Sequence, residues 1–520
     1  MKITRRTAIG ITLIVLIGLT SWGLAGTLTE QQYIDAGKAE FHRGNYDGAI
    51  YLFTKGLELN PDNQYLYNDR GLCYLEKGSL GVEAYLSSNM EKAIADFSKA
   101  IELDADFAEA YYNRGLAYYE QGSYYNTTPF TSAISDFTEA IELLEDPDKL
   151  IDAYYNRGLA YARFVHYYRK PFDSEIIDKY YKALADFDKV LELDPTYALA
   201  YAGKGDLYYR YGDFDNATVE FNKALESENL ILQKAGIKGL AEVYYSRGRN
   251  YAGDHHIVYE DRRGTLDYEK AVELNPTLMI ALGHLTSNYL QLGEWDNVIK
   301  NCDYMLDLKK DDPEWLTKSH GGYTKYEAKG LAYYNLGQYD EAIINYNRVI
   351  ELKPTVGAYR GLGIVYSEIG ESEKAKEAFE KALEMDTSVI EEGTYKRMER
   401  KYYSRGLTYY EMREYDKAIS DFNKAIELKP DYAEAYRDLG KAYVAIEDTA
   451  KATEAFETAI SLFEEQRNSY AAKQVRQLLE ELPAVGASAL PTTLIMECPA
   501  VPEDVYPLFE QGLEETAKEI

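Results

Sequence analysis

Cysteine is scarce: Cys73, Cys302 and Cys498 are the three in 520 residues, far apart and without a Cys-x-x-Cys spacing. They suggest neither a disulfide framework nor a zinc site, and they leave the redox compartment open. Proline is also scarce, 14 in 520, which leaves room for long uninterrupted helices. Positive charge is in deficit, with 57 Lys plus Arg against 87 Asp plus Glu and a formal net charge of -30. A chain of that charge repels phosphate backbones, so nucleic acid is not expected as a partner. Catalytic phrases are missing too: there is no P-loop, Gly-x-Ser-x-Gly, His-Glu-x-x-His or Gly-x-Gly-x-x-Gly. No enzyme activity and no cofactor are expected from this sequence.

What is present begins with hydrophobic residues, 46% of the chain, which excludes global disorder. Single cores stop growing near roughly 250 to 300 residues, so 520 residues imply several domains or a repeat array. At the N-terminus, Lys2, Arg5 and Arg6 precede an uncharged apolar stretch from Ala8 to Ala25. Residues 1–29 therefore read as a signal-anchor or a signal peptide. By the positive-inside rule, this predicts a membrane-anchored protein held by residues 8–25, with its body extracytoplasmic. Cleavage after Ala25 is the alternative and makes the body secreted.

One phrase recurs along the rest of the chain: Gly71-Leu-Cys-Tyr74, Gly115-Leu-Ala-Tyr118, Gly158-Leu-Ala-Tyr161, Gly330-Leu-Ala-Tyr333 and Gly406-Leu-Thr-Tyr409. Each is followed by a second helical phrase, such as Ala93-Ile-Ala-Asp-Phe97, Ala133-Ile-Ser-Asp-Phe137 or Ala418-Ile-Ser-Asp-Phe422. Small residues remove bulk where two helices approach closely, and aromatics fill the space beside them. Pro61, Pro195, Pro276, Pro354 and Pro430 then stop second helices. The pattern resembles the tetratricopeptide repeat family, whose unit of about 34 residues runs Leu-Gly-x2-Tyr, Ala-x3-Phe and Pro. The resemblance implies an all-α fold, a right-handed superhelical solenoid of about eleven helix-turn-helix repeats over 30–466. Residues 467–482 are expected to cap it, and 483–520 to form a flexible tail with a short acidic helix. The unit near 232–278 is the most divergent; there only Gly239 and the closing Ala271 to Pro276 stand out.

Four units carry Arg before the glycine, where the family usually has Leu, and Asp before the second-helix aromatic. Comparing units within the chain predicts ion pairs of Arg70 with Asp96, Arg114 with Asp136, Arg157 with Asp186, and Arg405 with Asp421. Lys204 is matched likewise by Glu220. Where the first site is apolar, at Leu362 and Leu439, the second is Ala378 and Ala455. Planar Arg suits bidentate contact with a carboxylate.

Tyrosine is abundant, 51 residues, and often doubled in first helices. In Tyr111-Tyr112, Tyr118-Tyr119, Tyr154-Tyr155, Tyr208-Tyr209, Tyr333-Tyr334, Tyr402-Tyr403 and Tyr409-Tyr410, neighbouring side chains point about 100° apart, so one ring packs while the other faces outward. The resemblance places first helices along a concave groove, which makes Tyr112, Asn113, Tyr119, Glu120, Tyr155, Asn156, Tyr209, Tyr334, Tyr403 and Tyr410 its candidate partner-binding residues. Tyr111, Tyr118, Tyr154 and Tyr208 are expected inside. Insertions at 80–89, 124–129 and 167–179, bearing Tyr85, Tyr124, Tyr125, Tyr167, Tyr168 and Phe172, form a second candidate surface, or else lengthen helices. Asp254, His255, His256, Glu260 and Asp261 match no metal-ligand template and read as a solvated loop. The expected function is a scaffold for protein-protein interaction, its partner another protein or an extended peptide. The alternatives are a glycan-binding module of the cell envelope and a regulatory subunit of a larger enzyme complex.

Overall fold

A computed structural model describes residues 28–79, 83–122, 126–165, 174–253, 262–317, 321–393, 397–466 and 468–482. They are almost entirely helical, and no β-strand occurs among the described residues. Two compact units divide at Pro195 and Thr196.

The first unit contains α1 (Glu30–His42), α2 (Tyr46–Leu59), α3 (Gln64–Ser79), α4 (Glu83–Leu103), α5 (Ala108–Gln121), α6 (Thr128–Leu143), α7 (Pro147–Ala162) and α8 (Ser174–Leu193). They pair antiparallel as first and second helices, α1 with α2 through α7 with α8. The second unit opens with α9 (Ala198–Tyr211), α10 (Phe214–Leu225), α11 (Glu228–Gly253), α12 (Arg263–Leu274), α13 (Met279–Leu292), α14 (Trp295–Leu308) and the short α15 (Pro313–Thr317). It continues with α16 (Gly322–Asn335), α17 (Tyr339–Leu352), α18 (Val356–Glu368), α19 (Ser372–Glu392), α20 (Met398–Glu411), α21 (Tyr415–Leu428), α22 (Ala433–Ala445), α23 (Thr449–Glu465) and α24 (Ser469–Glu480). Here too consecutive helices pair, α16 with α17 through α22 with α23. The last, α24, lays Ala471, Ala472 and Val475 against Phe456 and Phe463 of α23.

Local chemistry sets the boundaries. The Asn45 side chain accepts a hydrogen bond from Gly48 N to start α2, and Asp213 and Asp448 do the same for α10 and α23. Helices α2, α8, α12, α17 and α21 each stop two residues before a proline, which disfavours helical backbone in the residue ahead of it. Turns within pairs need one left-handed residue. Gly44, Gly212, Gly293, Gly337 and Gly370 supply it with φ of 68 to 85°, while Arg413 and Glu447 accept the strain at 60 and 63°.

Pairing rests on contact between a first-helix glycine and a second-helix ring. A methyl group placed on Gly37, Gly71, Gly115 or Gly158 would stand 2.4 to 3.0 Å from Phe53, Phe97, Phe137 or Phe187. Gly205, Gly248, Gly330, Gly363, Gly406 and Gly440 meet Phe221, Tyr268, Tyr346, Phe379, Phe422 and Phe456 in the same way. A mid-helix glycine costs about 1 kcal/mol relative to alanine, and burying a phenyl ring contributes about 1.5 to 3 kcal/mol, so the exchange favours the pair. In the divergent unit the register glycine is Gly248, not Gly239, whose added methyl would meet only Ala235. Just before both, Gly236 at φ 68° breaks the helical backbone inside α11.

Beside these glycines, arginine clamps the two helices. Arg114 donates through Nε and Nη2 to Asp136 Oδ2 and Oδ1, both at 2.8 Å, and Arg70–Asp96, Arg157–Asp186 and Arg405–Asp421 repeat the fork at 2.7 to 2.9 Å. A third nitrogen reaches the preceding second helix: Arg70 to Thr54, Arg114 to Ser98, Arg157 to Thr138 and Arg405 to Thr387, at 3.0 to 3.5 Å. One guanidinium thus joins three helices. The sequence reading missed a further member, Arg247 with Asp267 at 2.7 and 2.8 Å, its third bond going to Asn222. Lys204 only reaches 3.9 Å from Glu220, whose nearer cation is Lys223 at 3.0 Å; an ammonium has no fork to hold the geometry. In the apolar units, Leu362 with Ala378 and Leu439 with Ala455 are buried in the same core clusters.

Two expectations concern the ends and insertions. The membrane-anchored, extracytoplasmic placement is corrected: no helix among the described residues is long and apolar enough to cross a membrane. Residues 8–25, on which that placement rested, lie outside the described residues, as do Cys498, the polar loop 254–261 and the tail 483–520. Of the insertions, 83–89 belong to α4, 128–129 to α6 and 174–179 to α8, so part of each lengthens a second helix. Tyr124, Tyr125, Tyr167, Tyr168 and Phe172 lie outside the described residues.

Removing one partner of a buried fork leaves the other charge stranded at a cost of about 3 to 5 kcal/mol, whereas apolar replacement of both is close to neutral. Asp136→Ala should therefore lower the first unit's melting temperature strongly. Adding Arg114→Leu, which recreates the Leu362–Ala378 solution, should restore most of it in a thermal-denaturation comparison of the two variants.

Candidate functional site

First-helix tyrosines fall into two registers. The first of each doubled pair runs beside the clamp: Tyr111 lies 5.6 Å from the Arg114 guanidinium carbon, Tyr154 5.4 Å from that of Arg157, Tyr244 5.5 Å from Arg247 and Tyr402 5.5 Å from Arg405. The second seats its ring on its own second helix. Tyr112 meets Phe137, Tyr155 meets Phe187 and Tyr403 meets Phe422, with centroids 5.8 to 6.0 Å apart. One helical turn or two further on, Tyr119 meets Phe130, Tyr209 meets Phe214, Tyr334 meets Tyr339 and Tyr410 meets Tyr415 at 5.5 to 6.1 Å.

The expected division between packing and outward rings does not appear as a difference in burial. Tyr209 and Tyr403, assigned to the groove, are each 7% exposed, while Tyr111, Tyr118, Tyr154 and Tyr208, assigned to the interior, are half-buried, as are Tyr112, Tyr119 and Tyr155. The reason is that a phenol serves two purposes. Its ring packs while its hydroxyl bonds a neighbouring first helix. Tyr112 Oη accepts from Asn156 Nδ2 at 3.0 Å, Tyr119 Oη accepts from Arg163 Nε at 2.8 Å, and Asn113 Nδ2 donates to Asn68 Oδ1 at 2.9 Å. Burial raises the Tyr112 phenol above its ordinary pKa. Glu120 stays exposed at the end of the same row.

In the second unit the corresponding face carries charge. Tyr403 Oη donates to Asp438 Oδ2 at 2.7 Å, Arg437 forks onto both oxygens of that carboxylate at 2.8 and 3.1 Å, and Lys441 lies 3.2 Å away. Burial opposes ionisation of Asp438, but the adjacent Arg437 and Lys441 outweigh it and hold the carboxyl well below its usual range. Near it, Arg360 is buried, and burial raises the carboxyl of Glu411. Earlier in the unit, Asp206 of α9 accepts from Arg210 Nε and Arg249 Nη2, each at 2.5 Å. The Arg249 guanidinium carbon sits 4.4 Å over the Tyr209 ring. Behind it Tyr268 stacks on His284 at 5.3 Å, and burial lowers that imidazole to about 4. These clusters escaped sequence reasoning. Arg249 follows the register glycine Gly248 directly, a signal visible only after the divergent unit is aligned through Tyr244-Tyr-Ser-Arg-Gly248, identical to Tyr402-Tyr-Ser-Arg-Gly406; His284 carries no such marker.

Removal of a buried aromatic side chain costs about 3 to 5 kcal/mol. Tyr112→Ala should accordingly destabilise the first unit more than Tyr111→Ala, whose ring lies along a partly exposed arginine. Chemical denaturation of the two variants checks the order.

Comparison with known proteins agrees with this architecture. Models described as TPR repeat match residues 37–78, 83–122 and 406–446, and tetratricopeptide repeat models match 324–388 and 433–466. A TPR repeat-containing protein of Methanocaldococcus jannaschii is 27% identical over 227 residues, 43% of this chain and 37% of that protein. Superkiller protein 3 of Schizosaccharomyces pombe is 24% identical over 207 residues, 39% of this chain and 14% of its own length. The chain therefore spans well under half the length of these curated relatives. Among solved structures, MamA is 28% identical over 38% of this chain and 92% of its own, with a TM-score of 0.30. Yeast Tom70 is 15% identical over 87% of this chain and 96% of its own, at 0.34. Scores this low fix nothing about how successive repeats are arranged. With repeat models matching in both halves of the sequence, and one glycine-to-aromatic helix pair recurring throughout, the chain belongs to the tetratricopeptide repeat family.

Proposed function

We propose that this protein is a scaffold whose first-helix faces bind an extended segment of another protein. Proteins built of these repeats typically mediate contacts between proteins. The observation that carries the reading is the half-buried first-helix tyrosines of each unit, Tyr112, Tyr119 and Tyr155 in the first and, separately, Tyr334 and Tyr410 in the second. Each ring is already fixed against a second-helix aromatic. Binding on such a floor immobilises little that was free, and tyrosine offers large contact area beside a polar edge. Asn113 and Asn156 steady the floor, and Glu120 and Glu411 give it acidic positions. Tyr209 and Tyr403 support it from beneath. No observation of this structure favours the glycan alternative over a protein segment.

An array of short extended peptides, probed with the labelled full chain, tests the proposal. Tyr334→Ala should weaken peptide binding about fivefold or more, as loss of an interface anchor of about 1 to 3 kcal/mol does, with circular dichroism confirming an intact fold. Ile344→Ser, on α17 of the same pair where Ile344 is 67% exposed, should leave binding unchanged. Loss of binding with Ile344→Ser but not with Tyr334→Ala would place recognition on the second helices and overturn the reading.

A further inference from the structure

Around Arg249 the polar groups do not balance. Arg210 and Arg249 share the single carboxylate of Asp206, leaving this group of three with a positive charge in a chain of net charge -30. The two arginine side chains remain about a quarter exposed, at 23 and 24%. Behind them Tyr245, Tyr268 and His284 form one ring cluster, with centroids 5.3 to 5.9 Å apart, and the Arg249 guanidinium carbon lies 5.6 Å from the Tyr245 ring. Arg249 Nε, Tyr245 Oη, Tyr268 Oη and His284 Nε2 are all buried without a hydrogen-bond partner. Buried donors are ordinarily satisfied, so several unsatisfied ones in a single cluster call for an explanation.

Packing does not supply it. Most other pairs place phenylalanine where Tyr268 stands, at Phe53, Phe97, Phe137, Phe187, Phe221, Phe379, Phe422 and Phe456, and those rings fill the space against glycine without a hydroxyl. The hydroxyl of Tyr268 is thus surplus to the fold. The unsatisfied groups include an arginine N–H and two phenol O–H groups, a set rich in donors that suits an acceptor of negative charge. A guanidinium and phenols together recognise a planar carboxylate well.

We propose that Arg249, backed by Tyr245, Tyr268 and His284 and oriented by Asp206, is a subsite for the carboxylate of an aspartate or glutamate side chain in the bound protein segment. The inference rests on the reading of the first-helix faces as a protein-binding surface. Charge complementarity carries it. Arg249 is the member within reach of solvent, and the phenols and imidazole behind it lie below the helix surface.

The test uses the full chain and the peptides it binds on the array, all C-terminally amidated, each made with an internal glutamate and as its glutamine twin. Binders should lose tenfold or more on the change to glutamine at one position. Arg249→Gln should abolish the difference between twins while leaving the glutamine twins bound. Tyr268→Phe, which installs the residue most other pairs carry and so keeps the fold, should narrow the difference several-fold. Equal binding of the twins by the unaltered chain overturns the subsite and leaves the scaffold reading standing, as does a preference that survives both substitutions. Binding that requires a free C-terminal carboxylate, with no effect of the internal glutamate, overturns the side-chain assignment. No binding by any peptide overturns both readings.

Discussion

A phenyl ring pressed against a glycine is the contact on which this structure depends. At each such site, from Gly37 with Phe53 to Gly440 with Phe456, the second helix comes close enough that even a methyl group would collide with its ring. This proximity fixes which faces of two helices meet, and the alanines beside it, such as Ala133, Ala217 and Ala418, are wholly buried for the same reason. It also sets the position of the tyrosines. Once Phe137 occupies the gap, Tyr112 on the first helix has a ring to lean on, and its hydroxyl is carried to Asn156 of the next first helix. The surface proposed to bind a partner is in this sense the far side of the core contact.

The arginine forks add selectivity to proximity. Ring against glycine is non-directional, so it does not dictate which pair follows which. A guanidinium that forks onto its own second helix and spends its remaining nitrogen on a hydroxyl of the preceding one does so. Where the fork is replaced by Leu362 and Ala378 or by Leu439 and Ala455, packing alone completes the core, which indicates that the forks contribute register more than raw stability. The tyrosine three residues before each arginine covers the fork from solvent, which explains its half-buried ring.

Much of this was legible because repetition lets a sequence be compared with itself. Helix pairs, stopping prolines and the pairing of Arg114 with Asp136 or Arg405 with Asp421 follow from positions that change together from unit to unit. Legibility ended where a single unit had to be read alone. In the divergent unit the eye is drawn to Gly239, yet the phrase Tyr-Tyr-Ser-Arg-Gly248 carries the register, and with it Arg247, Arg249 and Asp267. The burial of Tyr209 and Tyr403 was not legible for a different reason. Helical spacing shows that two neighbours diverge, but which of them meets a ring depends on where the second helix crosses, a tertiary fact with no local signature. The membrane placement failed because it extended a short apolar stretch into a property of the whole chain.

The account stands or falls on the glycine contact, and substitution of Gly115 by alanine measures it directly. In an ordinary helix interior that change stabilises by up to about 1 kcal/mol. Here the new methyl would stand 2.8 Å from Phe137, and overpacking of that kind costs about 1 to 3 kcal/mol. The account predicts a lower melting temperature for Gly115→Ala, recovered in part when Phe137→Leu makes room. A higher melting temperature for Gly115→Ala alone would contradict it.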